Sequence, residues 1–498
     1  MRILAVIMLL LASVACGAPT ESLRILAGSE IKDLEPLLER SGVPFTLSYS
    51  GTIDGAEQMG NGDYDATWFS SNRYISLVDG ATAKLSTQTK TMASPVLLGL
   101  KQSKARELGW DAKPVTWADI AAAAQAHRFT FGMTSPAASN SGFSALVGVT
   151  AALSDADEAL DKAQIDAVTP KLKEFFSAQT LTAGSSGWLA DAYIKQGAVD
   201  GLVNYESVLL ALNASGKLKE PLTLIYPTDG VVTADYPLTL LTSADEAKKA
   251  LYGKLAAWLR RPEIQREIMA TTFRRPIVPE VRPDQRFGTA SLVELPFPNR
   301  RSAADELIGV YLNQVRKPSR TLFVLDTSGS MEGDRLDALK TALTALTGAD
   351  KFSRFRNRET VTMIPFSSAP QQPRTFALPE QNADPVLEQI RSYGEALEAR
   401  GETAIFDSLR AAYDQASPSE GFTSIVLMTD GENTNGSSYE DFAAYYKMRP
   451  SKFPTFVILF GDSDVAEMNQ VAQLTGGATF DARTGSLTAA FKEIRGYQ

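Results

Sequence analysis

Four apolar runs in the last third of the chain constrain its fold more than any other feature. They lie at 321–325, 360–366, 424–428 and 455–460. Strands apolar on both faces need cover on both faces. Helix-spaced segments at 336–346, near 385–391, at 404–416 and at 465–474 can supply it. A short strand at 478–480 and a helix at 487–495 close the chain. The pattern predicts an α/β fold over 318–498 built on a doubly wound open sheet. Residues 22–290 repeat the alternation, with strands at 23–27 and 45–49 around a helix at 31–39. A further strand runs through Tyr64 to Phe69. This predicts a second, parallel-rich α/β domain ahead of the first. Residues 291–317 read as a linker with a connecting helix at 307–315.

Composition removes several functions. The 498 residues carry 49 basic and 58 acidic side chains, a net charge of −9. Non-specific nucleic-acid binding needs a basic footprint, so no nucleic-acid partner is expected. There is one His and one Cys. An internal disulfide framework is excluded, as is a zinc site of clustered Cys and His. His127, at a helix-to-strand junction near 122–131, reads as an exposed helix-end residue remote from the second domain. No G-x-x-x-x-G-K-[ST] phosphate loop is present, so the chain is no ATP-driven motor.

Residues 1–16 read as a signal peptide. Arg2 gives a positive start, and the apolar run from Ile3 to Ala15 is too short to span a bilayer. Ser13-Val14-Ala15-Cys16 resembles the lipobox of bacterial lipoproteins, with Ser13 where Leu is usual. The resemblance implies that Cys16 is lipidated and anchors the chain to a membrane of the bacterial cell envelope, facing the periplasm or exterior. Several acyl chains anchor stably where one does not.

The densest chemistry is Asp326-Thr327-Ser328-Gly329-Ser330, directly after an apolar run. Asp326, Ser328 and Ser330 put a carboxylate and two hydroxyls on a tight loop at the carboxyl end of a strand, where open α/β sheets bind ligands. Thr403 precedes a helix and can offer a hydroxyl from a second loop. Asp430 ends another apolar run and can offer a carboxylate from a third. Oxygen donors suit hard cations. The three motifs, in this order, resemble a von Willebrand factor type A domain with a metal-ion-dependent adhesion site. The resemblance implies a Rossmann-like fold and a bound Mg²⁺ (or Mn²⁺ or Ca²⁺). It also implies a protein partner whose carboxylate completes the metal's shell. Glu332, Asp334 and Asp337 read as a solvated first helical turn, and Asp407, one turn past Thr403, as a support of the site or a helix-surface residue.

Residues 22–290 resemble extracellular solute-binding proteins of the two-lobed, type II periplasmic kind. The segments that carry the likeness are Leu26 to Glu30, Ser48 to Thr52, Thr67 to Asn72, Ser135 to Ser144 and Gly201 to Ser207. The resemblance implies a ligand cleft drawing on Ser29, Ser50, Thr52, Ser70, Ser139, Asn140, Ser141 and Tyr205, and lobe crossovers near 94–95 and 236–237. Hydroxyls and helix N-termini suit a small polar or anionic solute. Trp68 and Trp188 are candidates for the cleft or for the core.

These readings describe a lipid-anchored envelope binding protein, not an enzyme, with a metal-dependent protein site and a solute or second-partner site. The alternative is a substrate-binding receptor that delivers a small anion to an ATP-driven importer. A metal-assisted hydrolase is disfavoured, because no His or paired general base falls near the metal motif.

Overall fold

A computed structural model describes residues 22–59, 63–154, 159–197, 199–288, 292–348, 353–417, 421–483 and 486–497. Cys16 and the segment expected to be a signal peptide lie outside these residues. The strands form three mixed or mainly parallel sheets, the first two making the lobes of one domain. In the first lobe the order is Phe45–Tyr49, Leu23–Ala27, Ala66–Trp68, Pro237–Leu241, Leu85–Lys90. The first three are parallel and the last two run against their neighbours. The second lobe is built around Ser94–Lys101, Gly201–Tyr205, Phe131–Thr134 and Gln179–Ala183. The chain crosses between lobes from Lys90 to Ser94 and again from Ala234 to Pro237. Both crossings fall at the dipeptides expected from sequence.

Trp68 is core, not cleft. It is fully buried and its indole N–H donates to Tyr236 O at 3.1 Å. Residues Arg301–Val310 form an α-helix that continues into a π-helical turn, Tyr311–Val315. Ala304, Leu307 and Ile308 are fully buried in the second-lobe core, and Tyr311 donates to Gln179 at 3.0 Å. The connecting segment is thus built into the lobe that precedes it.

The third sheet has the order Arg374–Ala377, Thr360–Phe366, Ser319–Asp326, Phe422–Thr429, Thr455–Leu459, Thr479–Asp481. All neighbours are parallel except the Arg374–Ala377 edge. That edge strand carries little sequence signal, since only Phe376 of its residues is buried. The central strand has buried residues on both faces, as its apolar run requires.

Parallel strands give this sheet two unlike edges. The carboxyl edge presents Asp326, Phe366, Thr429 and Leu459. The amino edge, at Phe422 and Pro454, faces Leu181 and Trp188 of the second lobe across a small cavity. There the closing helix, Leu487–Arg495, delivers Tyr497 against Trp188, with ring centroids 5.5 Å apart. Gly184 and Gly496 meet backbone to backbone: a Cβ on Gly184 would lie 2.6 Å from the Tyr497 ring, and one on Gly496 would lie 2.9 Å from Gly184 Cα. Gly184→Val is therefore expected to destabilise the chain by about 1–3 kcal/mol through overpacking, measured by urea unfolding. An unchanged midpoint would show that this contact yields freely.

Candidate metal centre and solute cleft

The three loops of the metal motif meet at the carboxyl edge. Backbone bonds fix the first loop on the second, Gly329 N–H to Gly401 O at 2.9 Å and Arg400 N–H to Thr327 O at 2.8 Å. The third loop holds the second: Thr434 N–H donates to Thr403 O at 2.9 Å, and Asn433 Oδ1 accepts from Ile405 N–H at 2.8 Å. Asp326 is fully buried. Its Oδ1 accepts from Ser328 N–H at 2.8 Å and its Oδ2 from the Thr429 hydroxyl at 2.7 Å. The Ser328 and Ser330 hydroxyls are 3.0 Å apart, and Ser330 donates to Asp430 Oδ1 at 2.8 Å. One hydrogen-bonded relay thus joins Asp326, Ser328, Ser330 and Asp430. The Thr403 hydroxyl has no protein partner among the described residues.

Burial pushes the Asp326 carboxyl above its ordinary range, against the bonds from Ser328 and Thr429, and Asp430 adds like charge. Two carboxylates and three hydroxyls make an all-oxygen donor set, and Thr403 offers an uncommitted oxygen. The residues fit Mg²⁺. Among the described residues no three His, Cys, Asp or Glu side chains gather, so any such centre relies on its hydroxyls. Glu332, Asp334 and Asp337 are exposed. Asp407 braces the third loop, accepting from the Ser437 hydroxyl at 2.6 Å.

Sequence reasoning missed Arg335. Its guanidinium donates to Asp430 Oδ2 at 2.7 Å and to the exposed Asp462 at 2.8 Å. The signal was a cation in a helix's first turn, where the dipole disfavours one unless a carboxylate holds it. Arg335 competes for Asp430 charge. Arg335→Ala is expected to tighten Mg²⁺ binding roughly 3- to 10-fold, a modest gain because the side chain is one-third exposed. Calorimetric titration checks this; weaker binding would make Arg335 a prop for Asp430 instead.

The second site is a cavity of about 700 Å³ between the two lobes. Of the expected ligand residues, Ser29, Ser50, Thr52, Ser139 and Asn140 line it; Ser70, Ser141 and Tyr205 do not. Those three are spent on each other's neighbours. Ser141 shares hydrogen bonds with Thr134, Ser139 and Ser186. The Tyr205 hydroxyl donates to Ser70 at 3.1 Å across the lobes and accepts from Asn140 at 2.9 Å. Trp188 is likewise outside the cleft, at the domain contact. Arg316, Arg356, Lys492 and Arg495 also line the cavity, and no sequence motif pointed to them.

Two family models match the chain. Residues 322–493 match the von Willebrand factor type A domain, and residues 46–293 match the bacterial extracellular solute-binding protein family. Inter-alpha-trypsin inhibitor heavy chain H4 of Sus scrofa is 30% identical over 129 residues, which cover 24% of this chain and 13% of that protein. The chain thus matches only a small part of that relative. Among solved structures, the periplasmic binding protein AfuA from Actinobacillus pleuropneumoniae, with fructose-6-phosphate bound, shares 11% identity. It covers 60% of this chain and 99% of its own, at a TM-score of 0.47. The sulfate-binding protein SubI from Mycobacterium tuberculosis H37Rv shares 18% identity, covering 57% of this chain and 98% of its own, at a TM-score of 0.43.

Proposed function

From a chain that joins a solute-binding domain to a von Willebrand factor type A domain, we propose a binding protein of the bacterial cell envelope, anchored through Cys16. Its carboxyl-terminal domain recognises an acidic group on a protein partner. Its amino-terminal domain holds a small solute between its lobes. The observation that carries the first role is the relay from Asp326 through Ser328 and Ser330 to Asp430, on three loops tied by backbone bonds. Asp326, Ser328, Ser330, Thr403 and Asp430 would hold Mg²⁺, with Mn²⁺ or Ca²⁺ as substitutes. The ion would supply a coordination position for the partner's carboxylate.

The chain's own part is positional. Burial keeps Asp326 fixed by two hydrogen bonds, so its carboxylate needs no reordering to act as a ligand. The domain contact uses the opposite, amino edge of the sheet, which leaves the relay's edge available to a partner. The second reading, a receptor for an ATP-driven importer of small anions, draws support from the inter-lobe cavity. The test is capture of envelope proteins with Mg²⁺, with EDTA, and with Asp326→Ala. A partner retained only by the wild-type chain with Mg²⁺ supports metal-dependent adhesion. One retained in all three moves recognition to the solute-binding domain.

A further inference from the structure

The carboxyl edge of the third sheet carries an acidic rim around the relay. Each of the loops there adds one carboxylate. Glu332 follows Ser330 in the first loop, Glu402 adjoins Thr403 in the second, and Glu432 follows Asp430 in the third. Asp462 comes from the loop after Thr455–Leu459. All of them are exposed. Glu332, Glu402 and Glu432 form no ion pair among the described residues. The cations nearby are mostly committed. Arg335 spends one arm on Asp430 and the other on Asp462. Arg374 and Arg410 lie over the rings of Tyr393 and Tyr445. Arg400, exposed on the second loop, is left to face the three glutamates.

Exposed acids alone make only a solvated face. Here they surround a relay that opens to solvent at Ser330, which is exposed. Beside Glu402, Thr403 is 5% exposed and its hydroxyl has no protein partner among the described residues. A cation held by Asp326 and Asp430 is balanced by those two carboxylates, so the rim sets the field that a partner meets. A partner with a run of acids is repelled from every loop. One acid set among basic side chains satisfies the cation and the rim together. We propose that the protein partner presents its carboxylate within a basic segment, an Asp or Glu with Lys or Arg on both sides, and that Glu332, Glu402 and Glu432 select it. This rests on the metal-dependent reading above. It adds the charge class of the partner and three residues outside the metal's ligand set.

The test is binding of labelled, end-blocked peptides to the full chain, read by fluorescence anisotropy at low salt. Each peptide has a central Asp, flanked by Lys, by Ser or by Glu. A further Lys-flanked peptide has a central Asn. Mg²⁺ is kept saturating, as set by a separate titration of each variant. The Lys-flanked Asp peptide is expected to bind roughly tenfold more tightly than the Ser-flanked one, since several weak exposed pairs act on one ligand. The Glu-flanked peptide should bind most weakly. EDTA, or the central Asn, should abolish binding of the Lys-flanked peptide. Replacing all three rim acids, Glu332→Gln, Glu402→Gln and Glu432→Gln together, should erase the Lys preference and leave Ser-flanked binding unchanged. The matching Glu→Lys triple should favour the Glu-flanked peptide. Melting curves check that both variants fold as wild type does.

Equal Mg²⁺-dependent binding of the Lys- and Ser-flanked peptides, or a preference that survives in both triples, overturns the inference and leaves the metal-dependent reading standing. Lys-flanked binding that persists in EDTA and with the central Asn overturns the inference and also counts against that reading. No binding by any peptide counts against both.

Discussion

Asp326→Asn is expected to weaken Mg²⁺ binding by more than about 100-fold, beyond the range typical for residues that merely orient a metal's ligands. Asp326 is the one carboxylate on the first loop. It is fully buried, and its two oxygens are already held by Ser328 and Thr429. Asn keeps the shape and can still accept one of those bonds, so the fold should persist. The melting temperature without metal should change little, since a carboxyl strained by burial is replaced by a neutral amide. Titration with MgCl₂ and a melting curve in EDTA separate the effects. Mg²⁺ affinity within tenfold of wild type would remove Asp326 from the centre.

Glu359→Gln should have the largest effect on stability. Glu359 is 2% exposed and bridges Arg316 and Arg495, whose side chains are 5% and 7% exposed. Removing the acid leaves those two cations, with Arg356 beside them, in the interior at the domain contact. Breaking a buried pair this way costs about 3–5 kcal/mol. Burial pushes the Glu359 carboxyl up, but Arg495 and Arg316 outweigh it and hold it below its ordinary value. A lowered folded-state pKa stabilises fully above the unfolded value and is lost as pH falls through the folded one. The gap between wild type and Glu359→Gln should therefore be widest near neutrality and narrow only as pH falls below the ordinary glutamate range. Urea unfolding at pH 7 and pH 3.5 reads both. A gap that is small at pH 7, or that grows in acid, would show that the arginines are satisfied without Glu359.

Much of this was legible because it is local. An apolar run such as 321–325 has one stable use in a parallel sheet, and a turn of Asp, Ser and Gly after it must fall at the sheet's carboxyl edge. The crossings between lobes were readable at Ser94-Pro95 and Tyr236-Pro237. The strand Arg374–Ala377 was not, since an edge strand buries too little to leave a pattern. Ser70, Ser141 and Tyr205 sit in motifs of the right composition, yet their hydroxyls close onto neighbours from distant segments. No spacing rule distinguishes a hydroxyl that faces a cavity from one that ties two lobes.

The sequence by itself determined the α/β class, the two domains and the order of the three metal-motif loops. These follow from periodicity and from side-chain chemistry within a few residues. Only the tertiary structure decided that Arg335 holds Asp430 and that Glu359 gathers Arg316 and Arg495. Each of these joins groups through space and long loops, and long-range charge pairing leaves no periodic trace in a chain. Burial then sets the energetic weight of those pairs, because it removes the solvent that would otherwise screen them.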